Sequence, residues 1–131
     1  MSVGAIEEPQ KKSARIMVVD DELDFLDSIK RALIIAGYRD ICLLSQPLQV
    51  KEILKQRTFD LVFIDLCMPQ INGLEVLEYI LSIAPHTRCI MLTALDDAET
   101  AALSLRMGAW DYLTKPISRN KLMCILDRAL G

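Results

Sequence analysis

The sequence predicts a doubly wound α/β domain of five parallel strands alternating with five helices. Two observations carry this. Short runs of four consecutive apolar residues recur along the chain, and between them lie longer segments with apolar residues at helical spacing. An unalternated apolar run suits a strand buried on both faces, as in a parallel sheet covered by helices. Strict strand–helix alternation then implies right-handed crossovers within one sheet.

The first strand is read at Ile16-Met17-Val18-Val19, after a polar, aperiodic stretch that makes residues 1–14 a loose tail. Phe25, Leu26, Ile29, Leu33 and Ala36 form the apolar stripe of the first helix, stopped at Gly37. Ile41-Cys42-Leu43-Leu44 is a weaker strand, and Ser45 is expected to cap a short helix carrying Leu48, Ile53 and Leu54. Leu61-Val62-Phe63-Ile64 is the third strand. Leu74, Leu77, Leu81 and Ala84 mark the third helix, ended by Pro85. Cys89-Ile90-Met91-Leu92 is the fourth strand, followed by a helix with Ala98, Ala101, Ala102 and Leu105 that stops at Gly108. The short run Tyr112-Leu113 is the fifth strand. Ser118 can cap the last helix, with Leu122, Ile125, Leu126 and Ala129 on its inner face. Residues 15–131 thus read as one domain, without repeat or interior linker.

Bulk composition narrows the function. At 131 residues the chain can bury a core without disulfides or metal staples, and with a net charge of −3 it lacks the basic stripe of a nucleic-acid surface. No apolar run approaches the ~18 residues of a membrane span, and no signal peptide is recognisable, so a cytoplasmic protein without membrane contact is expected. The four cysteines are scattered and His86 is the only histidine, which argues against zinc. Cys42, Cys89 and Cys124 lie in apolar runs and read as small buried hydrophobes; Met68, Met107 and Met123 read as packing, and His86 as exposed.

Chemistry collects where the strands end. The first run leads into Asp20-Asp21, the third into Asp65, the fourth into Thr93, and the fifth toward Lys115-Pro116. Residues that end parallel strands lie on the carboxyl edge of the sheet, where open α/β folds place their sites. In a flavodoxin-like order 2-1-3-4-5, Asp20/Asp21, Asp65 and Thr93 form a row, and the long Lys115 side chain can reach back to it. Two carboxylates ~5 Å apart repel by about 3 kcal/mol at an effective dielectric of 20. A hard divalent cation relieves this, and oxygen-only ligands suit Mg²⁺ or Mn²⁺. Asp65 then remains available as a nucleophile toward phosphorus, with Lys115 and the Thr93 hydroxyl on the other phosphoryl oxygens.

Each residue alone has a structural use. Asp20 and Asp21 could begin a helix, Thr93 could cap a turn, Lys115 could be a solvated loop residue, and Tyr112 could pack on a helix. Their joint occurrence is what is specific. Val18-Val19-Asp20-Asp21-Glu22, Asp65-Leu66-Cys67-Met68-Pro69 with Gly73, Thr93-Ala94, and Asp111-Tyr112-Leu113-Thr114-Lys115-Pro116 together resemble the receiver domains of two-component response regulators, over residues 15 to 131.

That resemblance implies a phosphorylation-dependent signalling switch rather than an enzyme. Asp65 would accept a phosphoryl group from a histidine kinase or phosphotransfer protein. Asp20, Asp21, Asp65 and the backbone carbonyl of Cys67 would hold Mg²⁺ (or Mn²⁺). Thr93 and Lys115 would bind phosphoryl oxygens, Thr93 and Tyr112 would act as the switch pair, and Lys115-Pro116 would be a cis peptide. The surface of the fourth helix, fifth strand and fifth helix would change on phosphorylation, controlling a homodimer or an output partner. Leu95, two residues after Thr93, would shield the phosphoryl group from water and lengthen its lifetime.

Three other readings compete. A phosphatase of the haloacid-dehalogenase type also uses an Asp nucleophile with Mg²⁺, but on an Asp-x-Asp loop after its first strand, whereas here the acids are adjacent. A flavin-binding module would need a Ser/Thr/Gly-rich phosphate loop where Asp20-Asp21-Glu22 stands. A receiver-like binding module that is not phosphorylated is the third.

Overall fold

A computed structural model describes residues 13–94 and 97–131. The order of elements is β1 (Arg15–Val19), α1 (Leu23–Ile35), β2 (Asp40–Leu44), a 3-10 turn (Pro47–Gln49), α2 (Val50–Gln56), β3 (Leu61–Asp65), α3 (Gly73–Ile83), β4 (Arg88–Thr93), α4 (Ala98–Met107), β5 (Asp111–Thr114) and α5 (Arg119–Leu130). All strand pairs are parallel, in the order β2-β1-β3-β4-β5. Strand order, helix number and alternation agree with the expectation from sequence. Residues 1–12 of the expected tail, and Leu95, lie outside the described residues.

Because strand side chains alternate between faces, each apolar run supplies two cores at once. Ile16, Val18, Leu61, Phe63, Ile90 and Leu92 point to one face, where Leu26, Ile29 and Leu33 of α1 and Leu122, Ile125, Leu126 and Ala129 of α5 cover them. Met17, Val19, Val62, Ile64, Cys89 and Met91 point to the other, under Val50 of α2 and Val76, Leu77 and Ile80 of α3. This is the physical reason for the unalternated runs.

The helix termini follow local chemistry in part. Ser118 accepts a hydrogen bond from the Lys121 N–H at 3.1 Å, capping α5 as expected. Gly37 and Gly108, just past α1 and α4, both have positive φ, the left-handed conformation that glycine enters without a Cβ penalty. The expectation for Ser45 was wrong. No side-chain cap forms there; Gln46 precedes a 3-10 turn begun by Pro47, and Val50 rather than the exposed Leu48 is the buried anchor. On α4 the buried positions are Ala101 and Ser104, whereas Ala102 and Leu105 face solvent. The Ser104 hydroxyl is buried because it donates back to the Ala101 carbonyl at 2.6 Å. Cys124 also departs from expectation: Cys89 is buried and Cys42 half-buried, but Cys124 is exposed on the outer side of α5.

At the sheet edge opposite the strand carboxyl ends, Arg88 and Arg128 both lie over Trp110, 5.4 and 5.2 Å from its ring centroid. Arg128 also pairs with Asp111 at 3.3 Å, and Arg88 donates to the Ala129 carbonyl. These contacts fix the last turn of α5 to the sheet.

Candidate functional site

Four of the residues singled out in the sequence meet at the carboxyl edge. Asp20 follows β1 and Asp65 ends β3, adjacent strands whose register pairs Val19 with Ile64. With Asp21 they form a cluster in which one carboxylate oxygen from each lies within 4.8 Å of the others. Asp20 and Asp65 are buried, and Asp21 is more open to solvent. Backbone amides aim the two buried acids: the Glu22 N–H donates to Asp20 Oδ1 at 2.9 Å, and the Cys67 N–H to Asp65 Oδ1 at 3.2 Å. Asp20 is therefore not the cap of α1; Glu22 holds that position, without a side-chain cap bond.

Lys115 reaches back from the loop after β5. Its ammonium is 2.6 Å from Asp20 Oδ2, 2.8 Å from Glu22 Oε1 and 3.7 Å from Asp65 Oδ2. The contact with Asp20 is an ion contact without hydrogen-bond alignment, while that with Glu22 is a hydrogen bond. The ring of Phe25, from α1, lies 4.3 Å from the same ammonium. The Lys115–Pro116 peptide is cis, as the resemblance implied.

Charge at this edge is under-compensated. Burial, reinforced by the neighbouring Asp20 charge, pushes the Asp65 carboxyl up to about 7 despite Lys115 and the Cys67 N–H. Burial likewise raises Asp20, against its contacts with Lys115 and the Glu22 amide. For Lys115 burial works downward, but its close contacts with Asp20 and Glu22 and the charges of Asp20 and Asp65 outweigh it, leaving the ammonium above its usual value. Three converging oxygen ligands with excess negative charge fit a hard divalent cation.

Thr93 and Tyr112 stand beside this cluster rather than in it. Thr93 ends β4, buried, and its hydroxyl donates to the Ala94 carbonyl at 3.2 Å, with the Asp97 carbonyl at 3.5 Å. Tyr112, on β5, is 38% exposed. The Cys67 thiol is exposed. Gly73, quoted in the sequence motif without a role, has a structural one: a Cβ there would meet the Asp65 carbonyl oxygen at 2.3 Å and Leu66 Cα at 2.7 Å. The first turn of α3 can pack against the end of β3 only because Gly73 has no side chain. The sequence assigns Phe25 only to the apolar stripe of α1 and Glu22 only to the motif after β1, with no site role for either and no capping role for Asn72. Asn72, whose Oδ1 caps α3 by accepting from Leu74 N–H at 2.8 Å, could have been found as Asn before an apolar-periodic segment. Glu22 and Phe25 carry no local signal for a lysine ninety or more residues away.

Fold and site together define a five-stranded doubly wound domain with an acidic pocket and a lysine at the carboxyl edge of its sheet. The response regulator receiver domain family matches residues 16–127, and the chain belongs to that family. The haloacid-dehalogenase and flavin-binding readings fall with that assignment. Among curated relatives, the transcriptional regulatory protein ZraR of Klebsiella oxytoca is 36% identical over 116 residues, and the alginate biosynthesis transcriptional regulatory protein AlgB of Pseudomonas aeruginosa is 37% identical over 117. These matches cover 88% and 89% of this chain but 26% of either relative, so the chain spans about a quarter of their length. A response regulator receiver domain protein from Clostridium thermocellum superposes with a TM-score of 0.83 at 33% identity, covering 89% of this chain and 94% of that one. The receiver domain of NtrX from Brucella abortus gives 0.83 at 29% identity, covering 88% and 97%. Among the described residues, no helix is long and apolar enough to cross a membrane.

Proposed function

We propose that this domain is a cytoplasmic phosphorylation switch in which Asp65 accepts a phosphoryl group from a histidine kinase or phosphotransfer protein. The observation that carries this reading is the convergence of Asp20, Asp21 and Asp65 within 4.8 Å, with Lys115 reaching Asp20 and Asp65 from the loop after β5. In the transfer, a phosphohistidine N–P bond breaks, an Asp65 O–P bond forms, and the imidazole leaves.

Asp20, Asp21, Asp65 and the Cys67 backbone carbonyl are the groups that would hold Mg²⁺ or Mn²⁺, which when bound neutralises carboxylate and phosphoryl charge. Neutralisation matters because Asp65 must be ionised to attack, whereas burial beside Asp20 favours its protonated form. Lys115 supplies a second positive charge for a phosphoryl oxygen. Thr93 supplies a hydroxyl, once its bond to the Ala94 carbonyl is exchanged for one to the phosphoryl group. Tyr112, outside the site and partly exposed, is the aromatic that would follow Thr93 inward.

A signal requires that the modified state favour a second arrangement. The added charge of roughly −1.5 to −2 would draw Thr93 and Lys115 toward Asp65, shift the start of α4, and re-form the surface of α4, β5 and α5. That surface would serve a homodimer or an output partner. The relatives' names are those of transcriptional regulators, and the acidic balance of this domain leaves any DNA contact to another part of such a protein.

The test is intact-mass analysis after incubation with a small phosphoryl donor and Mg²⁺. One added phosphoryl group on wild type, absent with EDTA and absent from Asp65→Asn, is the expected result. No mass shift with any donor would reduce the domain to a receiver-like binding module that is not phosphorylated.

A further inference from the structure

We propose that Glu22 is a positioning residue for Lys115, holding the ammonium in the resting site and competing for it with a phosphoryl group on Asp65. The inference rests on the reading of Asp65 as acceptor and adds to it a residue that sets how readily the lysine is released.

The geometry is specific. An ammonium has three N–H donors. That of Lys115 donates to Glu22 Oε1 at 2.8 Å, lies against Asp20 Oδ2 at 2.6 Å, and stops 3.7 Å short of Asp65 Oδ2, beyond hydrogen-bond length. The Phe25 ring, 4.3 Å away, supplies an aromatic face to the same charge. In the resting site the lysine is thus hydrogen-bonded to Glu22 and seated against Asp20 and Phe25, with only a longer ion contact to the residue it must serve.

Glu22 and Asp20 are held differently. Asp20 is fully buried at the end of β1 and fixed by the Glu22 amide. The Glu22 side chain is 63% exposed and makes no capping bond to α1, although Glu22 occupies the N-cap position. Its carboxylate is spent on a lysine distant in sequence. A solvated carboxylate can release an ammonium at small cost, which suits a contact that must break whenever the switch is thrown.

The experiment compares beryllofluoride binding by the full chain at saturating Mg²⁺, followed by NMR, for wild type, Glu22→Gln, Lys115→Met and the double variant. Competition predicts that Glu22→Gln binds the probe about two- to five-fold more tightly, the range of an exposed ion pair. It also predicts that the gain vanishes in the Lys115→Met background, which a merely structural role of Glu22 would not produce. Unchanged or weaker binding by Glu22→Gln, or an equal gain without the lysine, overturns the proposal. A second measurement needs no phosphoryl analogue: the Lys115 ammonium protons, observed through their nitrogen, should exchange with water slowly in wild type and Asp65→Asn and rapidly in Glu22→Gln. Equal exchange in wild type and Glu22→Gln overturns the positioning role. Failure of wild type to bind beryllofluoride would instead remove the acceptor reading, and the exchange measurement would still decide the role of Glu22.

Discussion

The ammonium of Lys115 stands 3.7 Å from the carboxylate of Asp65 and 2.6 Å from that of Asp20. The lysine is thus the principal counter-charge of the fully buried acid, one residue type serving both stability and chemistry. Replacing Lys115 by Met leaves Asp20 buried without that partner. Metal-free protein at pH 8 should lose about 1–3 kcal/mol of stability in urea denaturation. Saturating Mg²⁺ should recover a larger share in the variant than it adds to wild type. Equal stability of wild type and variant in EDTA would contradict this account of the pair.

Asp65 makes stability depend on pH. Its folded-state carboxyl sits at about 7 against an ordinary value of 3.8. Between these values the unfolded chain releases a proton that the folded chain keeps, so stability is highest at low pH and falls as pH rises through about 7. Asp20, also raised, acts in the same direction. In EDTA, the Tm of wild type should therefore decline from pH 5 to 8. Asp65→Asn should show a shallower decline and be roughly 1–3 kcal/mol more stable than wild type at pH 8. A wild-type Tm that rises over this interval, or parallel curves for the two proteins, would refute the assignment.

Gly73 is fixed by space. A Cβ at this position would lie 2.3 Å from the Asp65 carbonyl oxygen, a backbone atom that cannot rotate away. Gly73→Ala should cost about 1–3 kcal/mol in equilibrium denaturation, although alanine is the better helix former. Because the clash falls on the acceptor's own backbone, phosphoryl uptake by mass analysis should slow as well. A neutral or stabilising substitution would show that α3 does not seat on the end of β3.

The cysteines should divide by burial. Burial pushes the Cys89 thiol up to about 12 and raises that of half-buried Cys42, whereas Cys67 and Cys124 are exposed. Ellman's reagent at pH 8 should modify Cys67 and Cys124 first, Cys42 more slowly, and Cys89 only on unfolding. Rapid modification of Cys89 in the native protein would contradict the packing of β4.

Much of the molecule was legible before any coordinates. Four-residue apolar runs specify strands covered on both faces, and the acids, Thr93 and Lys115 lie directly at or just beyond strand ends, so sequence position alone assigns them to one edge. The helix-capping role of Ser118 and the stops at Gly37 and Gly108 were legible for the same reason: they depend on neighbours within a few residues. Leu48, Leu105 and Cys124 were misread because apolarity does not by itself say which side of a helical turn faces the sheet, and Ser45 because Pro47 starts a 3-10 turn that places the beginning of α2 at Val50. On α4, the approach of β4 and β5 chose Ala101 and Ser104 instead.

By itself, then, the sequence determined strand and helix order, the edge on which the chemistry gathers, and the residue types that meet there. Tertiary structure alone decided that Glu22 and Phe25 hold Lys115, that Gly73 must lack a side chain, and that Asp65 lies close enough to Asp20 to favour its proton. Those outcomes depend on distances of a few ångströms between segments far apart in the chain. Only the parallel register of β1, β3, β4 and β5 sets such distances.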